Sequence, residues 1–244
     1  MEMILSPNRT IVTSPARKID VIVIHDMESP EGMTTAEDVA RNWFAKSSVK
    51  ASAHYNVDGN SAVQCVPDKD VAWAAPGANH NGLQIELAGK ARQTVQEWAD
   101  AYSSGMLARA AALVAVLCKK YNIPASFVNE NGLLAGRRGI TTHNAVSLAY
   151  KRSDHSDPGP NFPMAAFVAE VQKNLAPPVP KKFVVFQIVN NGKVLAESLP
   201  SSSASEQTRL AVFLSNRSML ISSTLLRDPD ASVTIRRVTR TETT

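Results

Sequence analysis

Three side chains far apart in the sequence have the types needed for one piece of chemistry. They are His25, His143 and Asp157. Imidazole nitrogen and carboxylate oxygen both bind Zn²⁺ well, and two histidines with one aspartate would fill three of its four tetrahedral positions. The fourth would remain for water, as in a catalytic site. The flanking residues support a site. His25 ends the apolar run Val21-Ile22-Val23-Ile24, which places it at the C-terminal end of a buried strand, where ligand crevices form in open α/β sheets. Asp157 sits in Asp154-His155-Ser156-Asp157-Pro158-Gly159-Pro160, where two prolines of fixed φ would hold the carboxylate in place. A fourth group, Glu86, lies inside the apolar run Leu83 to Leu87; there a carboxylate is either a satisfied core group or a working one.

The elements that must position these groups can be read in order. Ile19 to His25 is a short, continuous, β-branched run, the pattern of a buried strand. Thr34 and Glu37 have capping-box spacing. The helix that follows is expected to place Val39, Ala40, Trp43 and Phe44 inward. Ala51 to Val57 and Ala62 to Val66 flank Asp58-Gly59-Asn60, a hairpin signal. Leu83 to Leu87 is another strand. Thr94 to Tyr121 is helical, with a break expected near Ser103-Ser104-Gly105, and Ile123-Pro124 ends it. Ile140 to His143 reads as a short strand ending in a ligand candidate, and Phe162 to Leu175 as a closing helix.

With 244 residues, 44% of them hydrophobic and 20% charged, the chain has ample material for a core. A net charge of +4 suits an anionic partner such as a bacterial wall or nucleic acid, but suits nothing in particular equally well. Cys65 and Cys118 form no CxxC pair, which argues against a disulfide framework or a thiolate cluster; free buried thiols are expected. No signal peptide is expected from Met1 to Thr13, and no apolar run is read as reaching the roughly 20 residues of a membrane span. Ala176 to Lys182 is a proline-rich linker by composition. It separates a first domain, 1–175, from a small domain, 183–244, read as β-β-α-β. There Phe183 to Val189 and Lys193 to Leu199 flank Asn190-Asn191-Gly192, a helix runs from Glu206 to Ile221 with Leu210, Phe213, Leu214 and Leu220 inward, and Ser232 to Thr239 closes. At about 60 residues this module is small for independent stability.

With those positions in hand, the first domain resembles the zinc-dependent N-acetylmuramoyl-L-alanine amidases, the amidase-2 group that includes phage endolysins and is related to peptidoglycan recognition proteins. The resemblance covers roughly residues 18 to 175. It is carried by Val21-Ile-Val-Ile-His25, Ser52-Ala-His-Tyr-Asn-Val-Asp-Gly59, Ala72-Trp73, Leu83-Gln-Ile-Glu86-Leu87, Thr142-His143 and Asp157-Pro-Gly-Pro160, which are specific in combination and weak singly. It implies a mixed α/β fold with a central sheet flanked by helices. It also implies one zinc per chain, held by His25, His143 and Asp157, and hydrolysis of the amide between N-acetylmuramic acid and L-alanine. Glu86 matches the family's catalytic glutamate, the acceptor and donor of the proton. Family members commonly carry lysine two residues before the third ligand; here that residue is His155. Whether His155 takes the lysine's part at the oxyanion, binds metal or caps the loop stays open, and Lys151 is a second candidate for the lysine's part.

Beside these readings stand plainer ones. His54 and Tyr55 read as strand residues engaged in packing, with a supporting role for His54 left open. His80 reads as a solvated loop residue, Trp73 as a packing residue, and Arg137-Arg138 as a solvated pair. The substrate expected is bacterial peptidoglycan; neither nucleic acid nor membrane insertion is expected. The second domain, with Arg236, Arg237 and Arg240, suits an anionic wall polymer or a second copy of itself. A phage endolysin is the role expected, held in the host cytoplasm before lysis and then acting on the wall. A cytoplasmic wall-recycling amidase and a non-catalytic peptidoglycan-binding protein are the alternatives.

Overall fold

A computed structural model of the chain describes residues 1–177, 182–190, 192–198, 210, 213–217 and 233–241. The chain divides into two units, Met1–Ala176 and Pro177–Thr244. In the first, the elements run β1 (Glu2–Met3), β2 (Arg9–Thr10), β3 (Val21–Asp26), α1 (Thr35–Val39) continuing as a π turn (Ala40–Phe44), β4 (Tyr55–Val57), β5 (Ala62–Gln64) and β6 (Val71–Ala72). They continue with β7 (Gly82–Leu87), α2 (Val95–Trp98), α3 (Ala101–Tyr121), α4 (Glu130–Leu134), β8 (Gly139–Thr142), α5 (His143–Tyr150) and α6 (Met164–Leu175). Six strands form a mixed sheet in the order β1-β5-β4-β7-β3-β8, with helices on both faces. Only the β4–β5 hairpin is antiparallel in it.

The alternation of strand side chains divides this sheet into two chemical faces. Ile22, Ile24, Tyr55, Val57, Leu83, Ile85 and Leu87 join the main core with Met106, Ala110 and Val114 of α3 and Phe167 and Val171 of α6. The opposite parity carries Val21 and Val23, which meet Ala145 and Val146 of α5. That parity also carries His25, Asn56, Gln84 and Glu86. His25 and Asn56 both stand opposite Glu86 across neighbouring strands, so the pleat gathers the polar groups on the α5 side of β7.

Several local readings are corrected. Thr34 makes no side-chain cap; its hydroxyl donates to Asp38 instead, at 2.8 Å. The capping box lies at Thr94 and Glu97. The helical region breaks before Ala101, not at Ser103–Gly105, because the Asp100 carboxylate accepts from the Ser103 N–H at 2.8 Å and starts a new helix. α3 then runs 21 residues and is apolar enough by length and composition to cross a bilayer, contrary to the sequence reading. Here Met106, Ala110, Ala111 and Val114 are buried against the sheet. Beyond α1, the Ala45 N–H reaches the Ala40 carbonyl at 2.9 Å, an i→i+5 bond that widens the turn. Trp43 is thereby rotated off the inward stripe and is 57% exposed, while Ala40 and Phe44 stay buried. His143 is not a strand end: β8 stops at Thr142, whose side chain caps α5 by accepting from the Ala145 N–H at 3.1 Å.

Cys65 and Cys118 are free and buried, Cys65 beside Ala36, Phe44 and Val63 and Cys118 in the main core. Burial pushes their thiols up to about 12 and about 11.

In the second unit, β9 (Lys182–Asn190) lies between β10 (Lys193–Glu197) and β11 (Val233–Thr241), antiparallel to both. Residues 210 and 213–215 are helical, and Phe213 packs on Phe186 and Ile188. Leu220, Ser201 to Ser205 and linker residues 178–181 lie outside the described residues.

Candidate metal centre and active site

β3, the first turn of α5 and the loop ahead of Pro158 bring His25, His143 and Asp157 together. One ligand atom from each lies within 4.8 Å of the others, and all three residues are buried. His25 Nδ1 is 3.0 Å from Asp157 Oδ2, and His143 Nδ1 is 3.1 Å from Asp157 Oδ1. The latter contact lacks the alignment of a hydrogen bond, and Oδ1 is a buried acceptor with no hydrogen-bond partner. Both imidazoles are engaged on their far side: His25 Nε2 faces Gln84 Oε1 at 2.9 Å, and His143 Nε2 faces Ser153 Oγ at 3.3 Å. Their Nδ1 atoms therefore converge on the Asp157 carboxylate, one at each oxygen. Two nitrogens and an oxygen in this arrangement fit a divalent metal ion.

The Asp157 loop is fastened on two sides. The Asp157 carbonyl accepts from the Asn144 N–H at 3.0 Å in the first turn of α5. Gly159 has φ +91°, and a Cβ there would lie 1.9 Å from the Ala91 carbonyl oxygen, in the loop after β7. Glycine is required at this approach.

The electrostatics follow from burial and crowding. Burial alone would lower His25, but Asp157 and Glu86 outweigh it and raise it to about 9. Asp157 would be raised by burial, yet His143 and His25 hold it well below the usual carboxylate range. His143 is lowered, by burial first and by the neighbouring His25 and His155. Burial pushes Glu86 up to about 8, and its Oε2 has no hydrogen-bond partner. Glu86 opens onto a cleft of about 500 Å³ that His25, His143, His155, Asp157 and Trp73 also line. An unpartnered carboxylate of raised proton affinity beside three convergent ligands is an arrangement for taking up and returning a proton.

His155 is on the rim. Its side chain is 63% exposed, with Nδ1 3.5 Å from Asp157 Oδ1, and its ring stacks on His143 at 4.4 Å between centroids. Lys151 is not among the cleft-lining residues; it terminates α5 in the left-handed conformation and is exposed.

Other residues depart from their plainer readings. His54 does more than pack: its Nδ1 accepts from the Gln84 N–H at 3.0 Å, and Arg17 lies 2.7 Å from its Nε2. Burial, and then the Arg17 charge, lower His54 to about 3, so it is neutral. Trp73 lines the cleft. Arg138 is an anchor, paired with Asp20 at 3.0 Å. Asp26 lines the cleft and burial raises it to about 7. Sequence reading passed over Asp26, Gln84 and Ser153. The available signal was strand parity, which puts Gln84 on the face of Glu86 and His25.

No curated protein matches the chain in sequence. Among solved structures, the Staphylococcus aureus hydrolase AmiA in complex with its ligand aligns at 17% identity with a TM-score of 0.54, over 73% of this chain and 87% of that one. A mutant endolysin from Bacillus subtilis aligns at 20% identity over 70% of this chain and 99% of that one, with a TM-score of 0.47. The amidase LysC from Clostridium intestinale aligns at 18% over 70% and 98%, with a TM-score of 0.44. The AmiA likeness gives the fold of the first unit. Residues 15–160, which contain the whole cleft chemistry described above, match the Amidase_2 family, and the chain belongs to this family of N-acetylmuramoyl-L-alanine amidases.

Proposed function

We propose that the chain is a zinc-dependent peptidoglycan amidase in which His25, His143 and Asp157 hold the metal and Glu86 is the proton-transfer group. The observation that carries the metal assignment is the buried Asp157 carboxylate set between two imidazole Nδ1 atoms, Oδ2 facing His25 and Oδ1, which has no hydrogen-bond partner, facing His143. When bound, zinc supplies a Lewis-acid centre and lowers the pKa of water. The residues of the chain do the rest. Glu86 accepts the proton of the attacking water and returns it to the leaving L-alanine amine. His155, exposed on the rim and stacked on His143, takes the role of the family lysine and donates a hydrogen bond to the developing oxyanion.

The role we assign is that of a bacteriolytic phage endolysin, acting on the wall from a pool accumulated in the host. Its support is the second unit, which a fragment-recycling enzyme has no need of. Arg236 and Arg240 are exposed on β11, which suits an anionic wall polymer.

The test is zinc content together with release of new N-terminal L-alanine from purified peptidoglycan. The wild type should hold one zinc and expose new N-terminal L-alanine amines on the stem peptides. Asp157→Ala should lose both, and Glu86→Ala should keep the metal and lose turnover. A wild type without zinc and without new N-terminal L-alanine would leave only a wall-binding role.

A further inference from the structure

Gln84 is fully buried in the middle of β7, and every polar group it carries is engaged. Its backbone N–H donates to His54 Nδ1 and its carbonyl accepts from the His54 N–H, both at 3.0 Å. Its side-chain Nε2 donates to the Ala78 carbonyl at 3.1 Å, and its Oε1 lies 2.9 Å from His25 Nε2. A backbone carbonyl only accepts, so the NH₂ end of the amide must face Ala78. The oxygen end is then committed to His25, and an amide oxygen also only accepts. The proton between them has to belong to His25 Nε2. Without metal, the proton on Nδ1 is shared with Asp157 Oδ2; an imidazole that binds a metal gives up one proton, and with Nε2–H held by Gln84 the nitrogen freed as a lone pair is His25 Nδ1.

Turning the amide over would set oxygen against the Ala78 oxygen and NH₂ against a ring nitrogen that must then give up its proton. Gly82 makes room for the observed orientation: a Cβ at that position would lie 2.4 Å from the Ala78 oxygen and 2.9 Å from Gln84 Nε2. His143 has no such device. Its Nε2 meets Ser153 Oγ at 3.3 Å, and a hydroxyl can give or take a proton.

We infer that Gln84 is a positioning residue: locked by the Ala78 carbonyl, it holds the His25 proton on Nε2 and presents Nδ1 as the metal ligand. The inference rests on the metal-binding assignment made above, and its test separates the two. Zinc affinity is measured by competition with a chromophoric chelator for the wild type, Gln84→Leu and Gln84→Glu. In parallel, ¹⁵N NMR of the zinc-loaded proteins reports which His25 nitrogen carries the proton. Gln84→Leu should bind zinc about 10- to 100-fold more weakly and lose the protected His25 Nε2–H signal. Gln84→Glu, which in its protonated form reproduces both hydrogen bonds, should retain most of the affinity and the signal.

A folded Gln84→Leu variant with wild-type zinc affinity and an unchanged His25 signal overturns the inference while leaving the metal site standing. If neither variant folds, the wild-type spectrum decides: a zinc-loaded His25 protonated on Nδ1 overturns the inference, and one protonated on Nε2 with Nδ1 bound to the metal supports it. A wild type that takes up no zinc overturns the metal assignment itself, and this inference with it.

Discussion

Gly159→Ala tests whether the metal ligands are held by backbone packing as well as by side chains. Gly159 has φ +91°, and the added Cβ would sit 1.9 Å from the Ala91 oxygen and 2.7 Å from the Ala91 carbonyl carbon. Ordinary contact begins near 3.5 Å, so the two backbones must part by roughly 1.5 Å. The left-handed conformation adds about 1–2 kcal/mol for any residue with a Cβ. For a domain of this size that corresponds to a thermal midpoint about 2–8 °C lower. The displaced segment carries Asp157 two residues upstream. Sites of this kind tolerate about 0.5 Å, and a 1 Å misplacement costs on the order of 100-fold in rate. Gly136→Ala is the control, because Gly136 also has positive φ, +69°, but open space around its missing Cβ. Both variants should lower the midpoint, measured by calorimetry, while only Gly159→Ala should weaken zinc binding and hydrolysis. If Gly159→Ala binds zinc and turns over like Gly136→Ala, the packing argument for the Asp157 loop fails.

The other predictions concern two histidines. His155→Ala should keep its zinc and lose about 10²-fold in turnover, with His155→Lys recovering most of it; equal turnover in all three proteins would leave His155 a loop residue. His54 is held near pKa 3 when folded, against about 6.5 when unfolded. The unfolded chain therefore binds the extra proton between those values. The stability His54 contributes is complete above about pH 6.5 and is lost as pH falls toward 3, at up to about 1.4 kcal/mol per pH unit. Denaturant titrations at pH 7 and pH 4.5 should show the wild type losing stability relative to His54→Gln; a difference that does not change with pH contradicts a buried neutral imidazole.

The parts of this molecule that local chemistry determines were readable without the structure. His25 follows four β-branched apolar residues in a short run, and that composition and length favour a buried strand; the Asp58-Gly59-Asn60 turn is similarly local, and β4 and β5 pair across it. The failures came where one residue's placement depends on another element. Trp43 was assigned to the inward face on a 3.6-residue period, but the π turn changes the period within a single turn. The helix His143–Tyr150 was hidden because Thr142 both ends a strand and caps a helix, and the expectation of a strand-end ligand absorbed His143. Gln84 was read as part of an apolar run. Its meaning lies in partners 59 residues away at His25 and six away at Ala78, and no window along the chain contains both.

The two buried cysteines make the first unit its own reporter of local opening. With thiols pushed up to about 12 and about 11, only about 10⁻⁵ to 10⁻⁴ of either is thiolate at neutral pH, the form that alkylating reagents attack. Each reacts at an appreciable rate only when its surroundings open. Cys65 lies in the cluster beneath α1, beside the cleft, and Cys118 in the core between α3 and the sheet. Site-resolved alkylation kinetics on the unmodified protein therefore give two separate opening free energies, one for the wall of the cleft and one for the body of the fold. The pair would reveal whether substrate binding tightens the cleft wall alone or the whole unit.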